Sequence, residues 1–101
     1  MTLGITNGSG DPYKASIHEW IQTDTAGGVI HIDLPAITAA NVGAEVGVIN
    51  MSTGSTNTVR VNTTGSDTVD EASSFFDLLS DLQTGIVVSD GVGNWMRYFA
   101  I

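Results

Sequence analysis

Strict alternation of apolar and polar residues in several short segments is the feature that most limits the folds open to this chain. In "IHIDL", Ile30, Ile32 and Leu34 alternate with His31 and Asp33. Since successive side chains of a β-strand point to opposite faces, this pattern predicts a strand with one buried and one polar face. "TVRVN" alternates in the same way. In "NWMRYFAI" both faces carry large apolar groups, so we expect both to be covered.

Further apolar segments are short and are separated by clusters of glycine, asparagine, aspartate and serine, such as "STGSTN" and "TTGSD". Seven or eight strands at this spacing predict an all-β fold, a single antiparallel β-sandwich or barrel-like domain that is jelly-roll-like. We expect this domain over residues 15–101, after a flexible, glycine-rich N-terminal arm over residues 1–14. The segment "DEASSFFDLLSDL" fits a helix or an apolar strand, and its β-rich surroundings favour a strand or a short turn.

Charge and the absence of cysteine limit the classes of partner. Eleven acidic and three basic residues give a formal net charge of -8, which repels nucleic acid and anionic membrane surfaces. The sequence has neither a secretion signal nor an apolar run long enough to span a membrane. We therefore expect a protein made in the cytoplasm. With no cysteine to form a disulfide, stiffness beyond a modest core has to come from packing or from assembly with other chains.

Two polar constellations are candidates for chemistry, and each has a simpler structural interpretation. His31 and Asp33 share a strand face and suit a metal or an acid/base pair, but no third group accompanies them, and an exposed strand face explains them. An acidic cluster suits a hard cation but lacks the spacing of a calcium loop, so we interpret it as a solvated edge. Its members are Asp67, Asp70, Glu71, Asp77 and Asp81. We expect no catalytic residue, no metal and no cofactor.

Aromatic residues form a third constellation, which suits either stacking on a sugar or burial in a core and a subunit interface. Its members are Trp20, Trp95, Tyr98 and Phe99. Aromatic residues are enriched at both kinds of buried contact, and the last strand carries large groups on both faces. We therefore predict core and subunit-interface positions for these four residues.

The stretch "VVSDGVGNW" resembles a binding loop but predicts a tight turn between the last two strands. Asp90 is placed to accept hydrogen bonds from the backbone N–H groups that follow it. Gly91 and Gly93 are free to adopt positive φ. Trp95 then anchors the last strand in the core.

In their order, three segments resemble small β modules of tailed-phage virion proteins, which occur in head decoration (cement) proteins, head fibres and tail-fibre tips. "IHIDLPAITAANVGAEVGVINMS" resembles the family's alternating strand, Leu-Pro, spacer, "VG" and strand that ends in Asn. "STNTVRVNTTGSDTVD" resembles its hairpin, and "VVSDGVGNWMRYFAI" its terminal strand. The chain departs from the family pattern at Glu71, where glycine is usual, and at Ala44 and Glu45, where lysine often follows "VG".

This resemblance implies a viral structural protein without catalysis, a bacteriophage capsid decoration protein. It implies a homotrimer on the outer surface of the virion that binds the lattice of the major capsid protein and stabilises it, with Trp20, Trp95, Tyr98 and Phe99 as trimer-interface or core residues. We expect the arm to contact the capsid, with Pro12, Tyr13 and Lys14 as candidate contact residues. The alternative is a receptor- or glycan-binding module of a tail or head fibre that uses Trp20, Tyr98 and the polar loops.

Overall fold

The computed structural model describes residues 2–6, 8, 11–54, 56–79 and 82–100, and in this part of the chain the fold is all-β. One short 3-10 turn, Ala39–Asn41, is the only helical element among these residues. The strands are β1 (Thr2–Thr6), β2 (Tyr13–Lys14), β3 (Glu19–Thr23), β4 (Ile30–Asp33), β5 (Glu45–Asn50), β6 (Val59–Asn62), β7 (Thr68–Val69), β8 (Phe75–Leu78), β9 (Thr84–Ser89) and β10 (Asn94–Ala100). The predicted all-β class is confirmed.

The strands form two sheets, and the chain crosses from one to the other after almost every strand. The large sheet has six strands in the order β1-β3-β5-β9-β10-β7, and the small sheet has four in the order β2-β4-β6-β8. From β1 to β8, odd strands lie in the large sheet and even strands in the small one. The first six strands therefore form successive turns of a two-sided coil, whereas β9 and β10 form a hairpin.

The predicted antiparallel arrangement is wrong, because both sheets are mixed. In the large sheet β1, β3 and β5 run parallel, as do β10 and β7. In the small sheet β2, β4 and β6 run parallel. Antiparallel pairs join β5 to β9, β9 to β10 and β6 to β8. Alternation of side chains specifies which face a residue occupies, but it contains no information on the direction of the neighbouring strand.

The alternating segments place their apolar faces in one core, as predicted. Ile30, Ile32 and Leu34 are buried, and His31 and Asp33 are half-buried on the opposite face. The small sheet adds Val59 and Val61, and the large sheet contributes residues from five of its strands to the same cluster. These residues are Ile21, Val46, Val48, Val69, Val87 and Trp95.

The segment predicted as a flexible arm contains two paired strands. β1 pairs with β3, and β2 pairs with β4, which raises the strand number to ten from the seven or eight expected. The reason is a long-range contact that local composition does not show. The Tyr13 hydroxyl donates a hydrogen bond to the carboxylate of Glu19, and a Cβ at Gly4 would overlap both side chains. Glycine thus lets β1 lie directly against this pair.

Two local predictions near the end of the chain are confirmed. The segment that fitted either a helix or a strand contains β8. The turn between β9 and β10 is closed by Asp90, whose Oδ1 accepts hydrogen bonds from the backbone N–H groups of Val92 (2.8 Å), Gly93 (3.0 Å) and Asn94 (3.0 Å). These bonds lower the pKa of Asp90. Gly91 adopts a φ of 77°, although Gly93 is not among the positive-φ glycines, and Trp95 is fully buried.

Candidate functional site

The outward surface of the large sheet is apolar across several strands. Because the inward residues of β3, β5 and β9 belong to the core, their immediate neighbours point away from it. We call this surface the outer apolar face, and its described members are Leu3, Ile5, Trp20, Ile49, Ile86, Val88 and Met96. Ile5 is 71%, Leu3 57% and Met96 44% exposed, so the face is open to a partner.

The strand register makes the outer apolar face continuous. Leu3 on β1 lies beside Trp20 on β3, Trp20 beside Gly47 on β5, and Gly47 beside Ile86 on β9. The Trp20 ring covers Gly47, where a Cβ would overlap the ring. Glycine at position 47 therefore lets the indole lie against the strand and fill the row between Leu3 and Ile86.

Charge is nearly absent from the outer apolar face. Among the described outward positions of β1, β3, β5 and β9, Glu45 is the only charged residue, and it lies at the end of β5. Gln22 adds one amide. A surface of this composition matches the depletion of charge at the centre of protein–protein contacts.

The opposite surface, the outer face of the small sheet, is charged and internally paired. His31 Nδ1 lies 2.7 Å from Asp11 Oδ2, and the His31 backbone N–H donates to the other oxygen of the same carboxylate, also at 2.7 Å. Asp33 accepts a hydrogen bond from Lys14 Nζ at 3.0 Å. His31 and Asp33 therefore have separate partners, and the structure does not bring them together into an acid/base pair.

Arg60 and Asp77 continue this charged surface on the next two strands. The guanidinium donates to both carboxylate oxygens, at 2.9 and 3.0 Å, and this pairing lowers the pKa of Asp77. The same guanidinium lies 4.0 Å from the centroid of the Phe75 ring. Each of the three basic side chains of the protein is ion-paired, since Arg97 contacts Asp70 at 2.7 Å and Lys14 contacts Asp33.

The acidic cluster of the sequence is dispersed into separate structural roles. Asp67 Oδ2 accepts a hydrogen bond from the Ile37 backbone N–H at 2.9 Å. Burial acts to raise the pKa of Asp70, but the backbone N–H and guanidinium of Arg97 outweigh it, so this pKa is lowered. Glu71 is exposed, and Asp81 lies outside the described residues. Within the described ranges no three histidine or acidic side chains converge on a position suited to a metal ion.

The three residues predicted to contact a capsid differ in accessibility. Pro12 and Lys14 are exposed, whereas Tyr13 is half-buried. The hydrogen bond to Glu19, reinforced by burial and by the nearby carboxylate charge, raises the pKa of Tyr13 to about 12. Glu19, itself 6% exposed, also accepts a hydrogen bond from the Ser16 backbone N–H at 2.9 Å. Tyr13 thus joins the small sheet to the large one.

The four aromatic residues predicted for a core or a subunit interface separate into two environments. Trp95 is fully buried in the core, and its Nε1 has no hydrogen-bond partner among the described residues. Trp20 lies half-buried on the outer apolar face. β10 includes Tyr98 and Phe99, with Phe99 beside Ile86 in the register, but their side chains lie outside the described part of the structure.

Sequence reasoning missed most of the outer apolar face, although a signal was present. In "EVGVIN" and "GIVVSD", apolar residues occupy both odd and even positions of the strand. Ile49 directly follows Val48, and Val88 directly follows Val87. Such strands are expected where both faces of a sheet are covered. In the structure one face is covered by the core, and the other carries the exposed apolar groups.

An open groove of about 670 Å³ lies at the ends of β1 and β3. Thr6, Tyr13, Thr23 and Met51 contribute to its lining, and Asp24 supplies its carboxylate. Asp24 Oδ1 accepts hydrogen bonds from the Ala26 N–H at 3.0 Å and the Ser52 hydroxyl at 2.8 Å, which lower its pKa. This carboxylate therefore braces a turn.

The chain was compared with protein-family models and with curated proteins. No protein-family model matches the chain, and no curated protein matches it. No helix in the described residues is long and apolar enough to cross a membrane.

Proposed function

We propose that this protein is a structural subunit of a tailed-phage virion, a decoration protein that forms a homotrimer and binds the outside of the assembled head without catalysis. The outer apolar face is the observation that carries the assembly part of the proposal. The virion part is supported by the strand motifs, whose order along the chain resembles that of decoration modules. The packing of two sheets around one core supports a sandwich-like module, with its parallel pairs as a departure from a jelly roll.

The distribution of charge favours contact between copies on this face. Three subunits carry 3 × (-8) = -24 formal charges, so their contact surface has to be nearly uncharged. The outer apolar face meets this requirement, because Glu45 is its only charged described residue on β1, β3, β5 and β9. Closed rotational symmetry would bury the apolar groups and limit the assembly to a finite size.

In this arrangement the charged face of the small sheet remains outside the subunit contact. Exposed Pro12 and Lys14 lie at its β2 edge and are available to the major capsid protein lattice, while Tyr13 positions β2 through Glu19. The mechanism is mass action. A protein that binds only the assembled lattice stabilises that state by its binding free energy.

Native mass spectrometry and sedimentation of two matched variants test the role of the outer apolar face. Met96→Asp introduces a charge on this face, and Asn62→Asp introduces the same charge on the outer face of the small sheet. We expect three-copy contacts in the wild type and in Asn62→Asp, and their loss in Met96→Asp. A monomeric wild type at micromolar concentration, or equal masses for both variants, would contradict the proposal.

Co-sedimentation with empty expanded phage heads tests the virion role. We expect the trimer to pellet with expanded heads and to raise the temperature at which they disrupt. Pro12→Ala combined with Lys14→Ala should weaken pelleting while the native mass stays unchanged. A trimer that fails to bind any expanded head would refute decoration and retain only self-association.

Trp20 supports one second candidate, a glycan- or receptor-binding module of a phage fibre. Its ring covers Gly47 and remains partly accessible, which is the geometry of an aromatic stacking surface. Addition of cell-wall polysaccharide should then quench tryptophan fluorescence, and Trp20→Ala should abolish the quenching. Under the decoration hypothesis no quenching is expected.

A further inference from the structure

The four sheet edges of the described structure differ in how they are protected from pairing with another strand. β2 and β7 have two residues each, and β2 carries Lys14 and is directly preceded by Pro12. β8 carries Asp77, which is paired with Arg60. β1 is five residues long, reads "TLGIT", and has neither a charged residue nor a proline. Short length, charge and proline are the usual devices that block an edge, so β1 is the edge that lacks them.

The backbone of β1 directs defined groups toward its open side. The Thr6 carbonyl accepts a hydrogen bond from the Asp24 N–H at 3.0 Å, on the β3 side of the strand. Backbone groups of alternate residues point to the same side of a strand, so Gly4 also directs its groups toward β3. The N–H and C=O groups of Leu3 and Ile5 therefore face the edge, where the sheet order places no further strand.

We propose that β1 pairs in an antiparallel manner with β1 of a second copy of this protein, about a two-fold axis at Gly4. The sequence "TLGIT" has the same pattern of residue types in both directions around Gly4. Leu3 then faces the partner's Ile5, and Ile5 faces the partner's Leu3. Each of these two pairs exchanges both of its N–H···O=C bonds, which gives four backbone hydrogen bonds across the axis.

Self-complementarity favours a second copy over an unrelated strand as the occupant of this edge. An isologous contact has to match its own reverse, and β1 does so with no charge on either strand. The pairing places the exposed side chains of Leu3 and Ile5 beside their counterparts on one face of a continuous sheet. Two outer apolar faces become continuous in this way.

The two-fold contact is independent of the proposed trimer and goes beyond it. β1 pairing uses the backbone edge, whereas the trimer uses side chains of the outer apolar face. If both contacts form with closed symmetry, the assembly contains six copies. If only the β1 contact forms, the protein is a dimer.

Cysteine cross-linking tests the register directly, because the chain has no cysteine of its own. Leu3→Cys combined with Ile5→Cys places unlike positions opposite each other across the axis, at a Cα separation of about 5.5 Å for such a pair. We expect this double variant to form a disulfide-linked dimer under mild oxidation. Each single variant should stay unlinked, because its cysteine is offset from its own counterpart by two positions in the register, which places the two Cα atoms beyond the roughly 7 Å that a disulfide can bridge. Equal cross-linking of the two single variants and the double variant would rule out this register.

A backbone variant with a matched control tests the hydrogen bonds. Ile5→Pro removes an N–H group that faces the edge, and it keeps the N–H groups of β1 that face β3. Ile5→Thr changes the side chain and keeps the N–H group. We expect even-numbered masses for the wild type and for Ile5→Thr, and halved masses for Ile5→Pro with unchanged circular dichroism. A wild type that is a trimer or a monomer, with a native mass that Ile5→Pro does not change, would overturn the inference. Loss of binding to phage heads in Ile5→Pro, without cross-linking in the double variant, would also overturn it and assign the edge to a capsid strand.

Discussion

The two outer faces of this molecule share one core but have opposite chemistry. The outer face of the large sheet is apolar, with Trp20 seated on Gly47, and its described groups have few polar partners. The outer face of the small sheet has ion pairs across neighbouring strands, including the bidentate contact of Arg60 with Asp77. Charged groups that satisfy one another have little to gain from a partner, whereas exposed apolar groups gain by leaving water. Under the proposed self-association, the apolar face is therefore the one expected to be buried, and the charged face the one left to solvent.

The largest predicted effect comes from breaking a hydrogen bond that joins the two sheets, between Tyr13 and Glu19. Tyr13→Phe keeps the ring but removes the hydroxyl that donates to buried Glu19, so the carboxylate retains the Ser16 N–H without its second donor. We expect a loss of about 2–3 kcal/mol in the free energy of unfolding, since one oxygen of a buried carboxylate is left without a donor. Urea unfolding at neutral pH measures it.

Alkaline pH supplies the control for this prediction. The folded-state pKa of Tyr13, about 12, lies above the ordinary value near 10. Its contribution is therefore complete below about pH 10 and is lost as pH rises toward 12. The wild type should lose this part of its stability between those values, and Tyr13→Phe should not. A parallel alkaline decline in both proteins would contradict the assignment.

The second effect concerns the apolar face alone. Gly47→Ala places a Cβ where the Trp20 ring lies, so the ring has to move away from the strand. We expect a loss of about 1–2 kcal/mol and a red shift of tryptophan emission. Asn62→Ala is the matched control on an outward position of β6 and should change stability by less than about 0.5 kcal/mol. Equal effects at the two positions would show that the faces do not differ as described.

Much of this contrast was accessible from sequence where the signal was local. The alternation in "IHIDL" placed His31 and Asp33 on the polar face, and Asp90 closed its turn with the three backbone N–H groups that follow it. By contrast, no local pattern predicted the positive φ of 60° at Glu71.

The features that the sequence did not predict depend on contacts between distant segments of the chain. The direction of β3 relative to β5 is set by connections through the small sheet, which period-two alternation does not encode. β1 forms because Gly4 lies against Tyr13 and Glu19, a contact that no property of "TLGIT" alone indicates. The ion partners of His31 and Asp33 likewise come from the segment that composition marked as an arm.

The third prediction uses acid pH to separate the two faces. The pKa of Asp77 is lowered by Arg60, so its contribution is present above the unfolded-state value near 4 and is lost as pH falls through the lower folded-state value. We expect Asp77→Asn to show a weaker dependence of unfolding free energy on pH below about pH 4 than the wild type. Gly47→Ala should keep the wild-type slope, because this substitution changes no titratable group. If unfolding free energy depended on acid pH equally in all three proteins, the ion pair of Asp77 with Arg60 would not distinguish the two faces.

The smallest predicted effect is at Lys14, whose side chain is 79% exposed while it contacts Asp33. Exposed pairs gain little because water screens the attraction and ordering of the lysine opposes it. We therefore expect Lys14→Met to change the unfolding free energy by less than about 0.5 kcal/mol, with any change vanishing at high salt. Under the proposed decoration role, its effect on head binding should be separable from stability, since the lysine is accessible and Tyr13 holds β2. A large stability loss that persists at high salt would mean that the charged face contributes to the fold by packing, as the apolar face does.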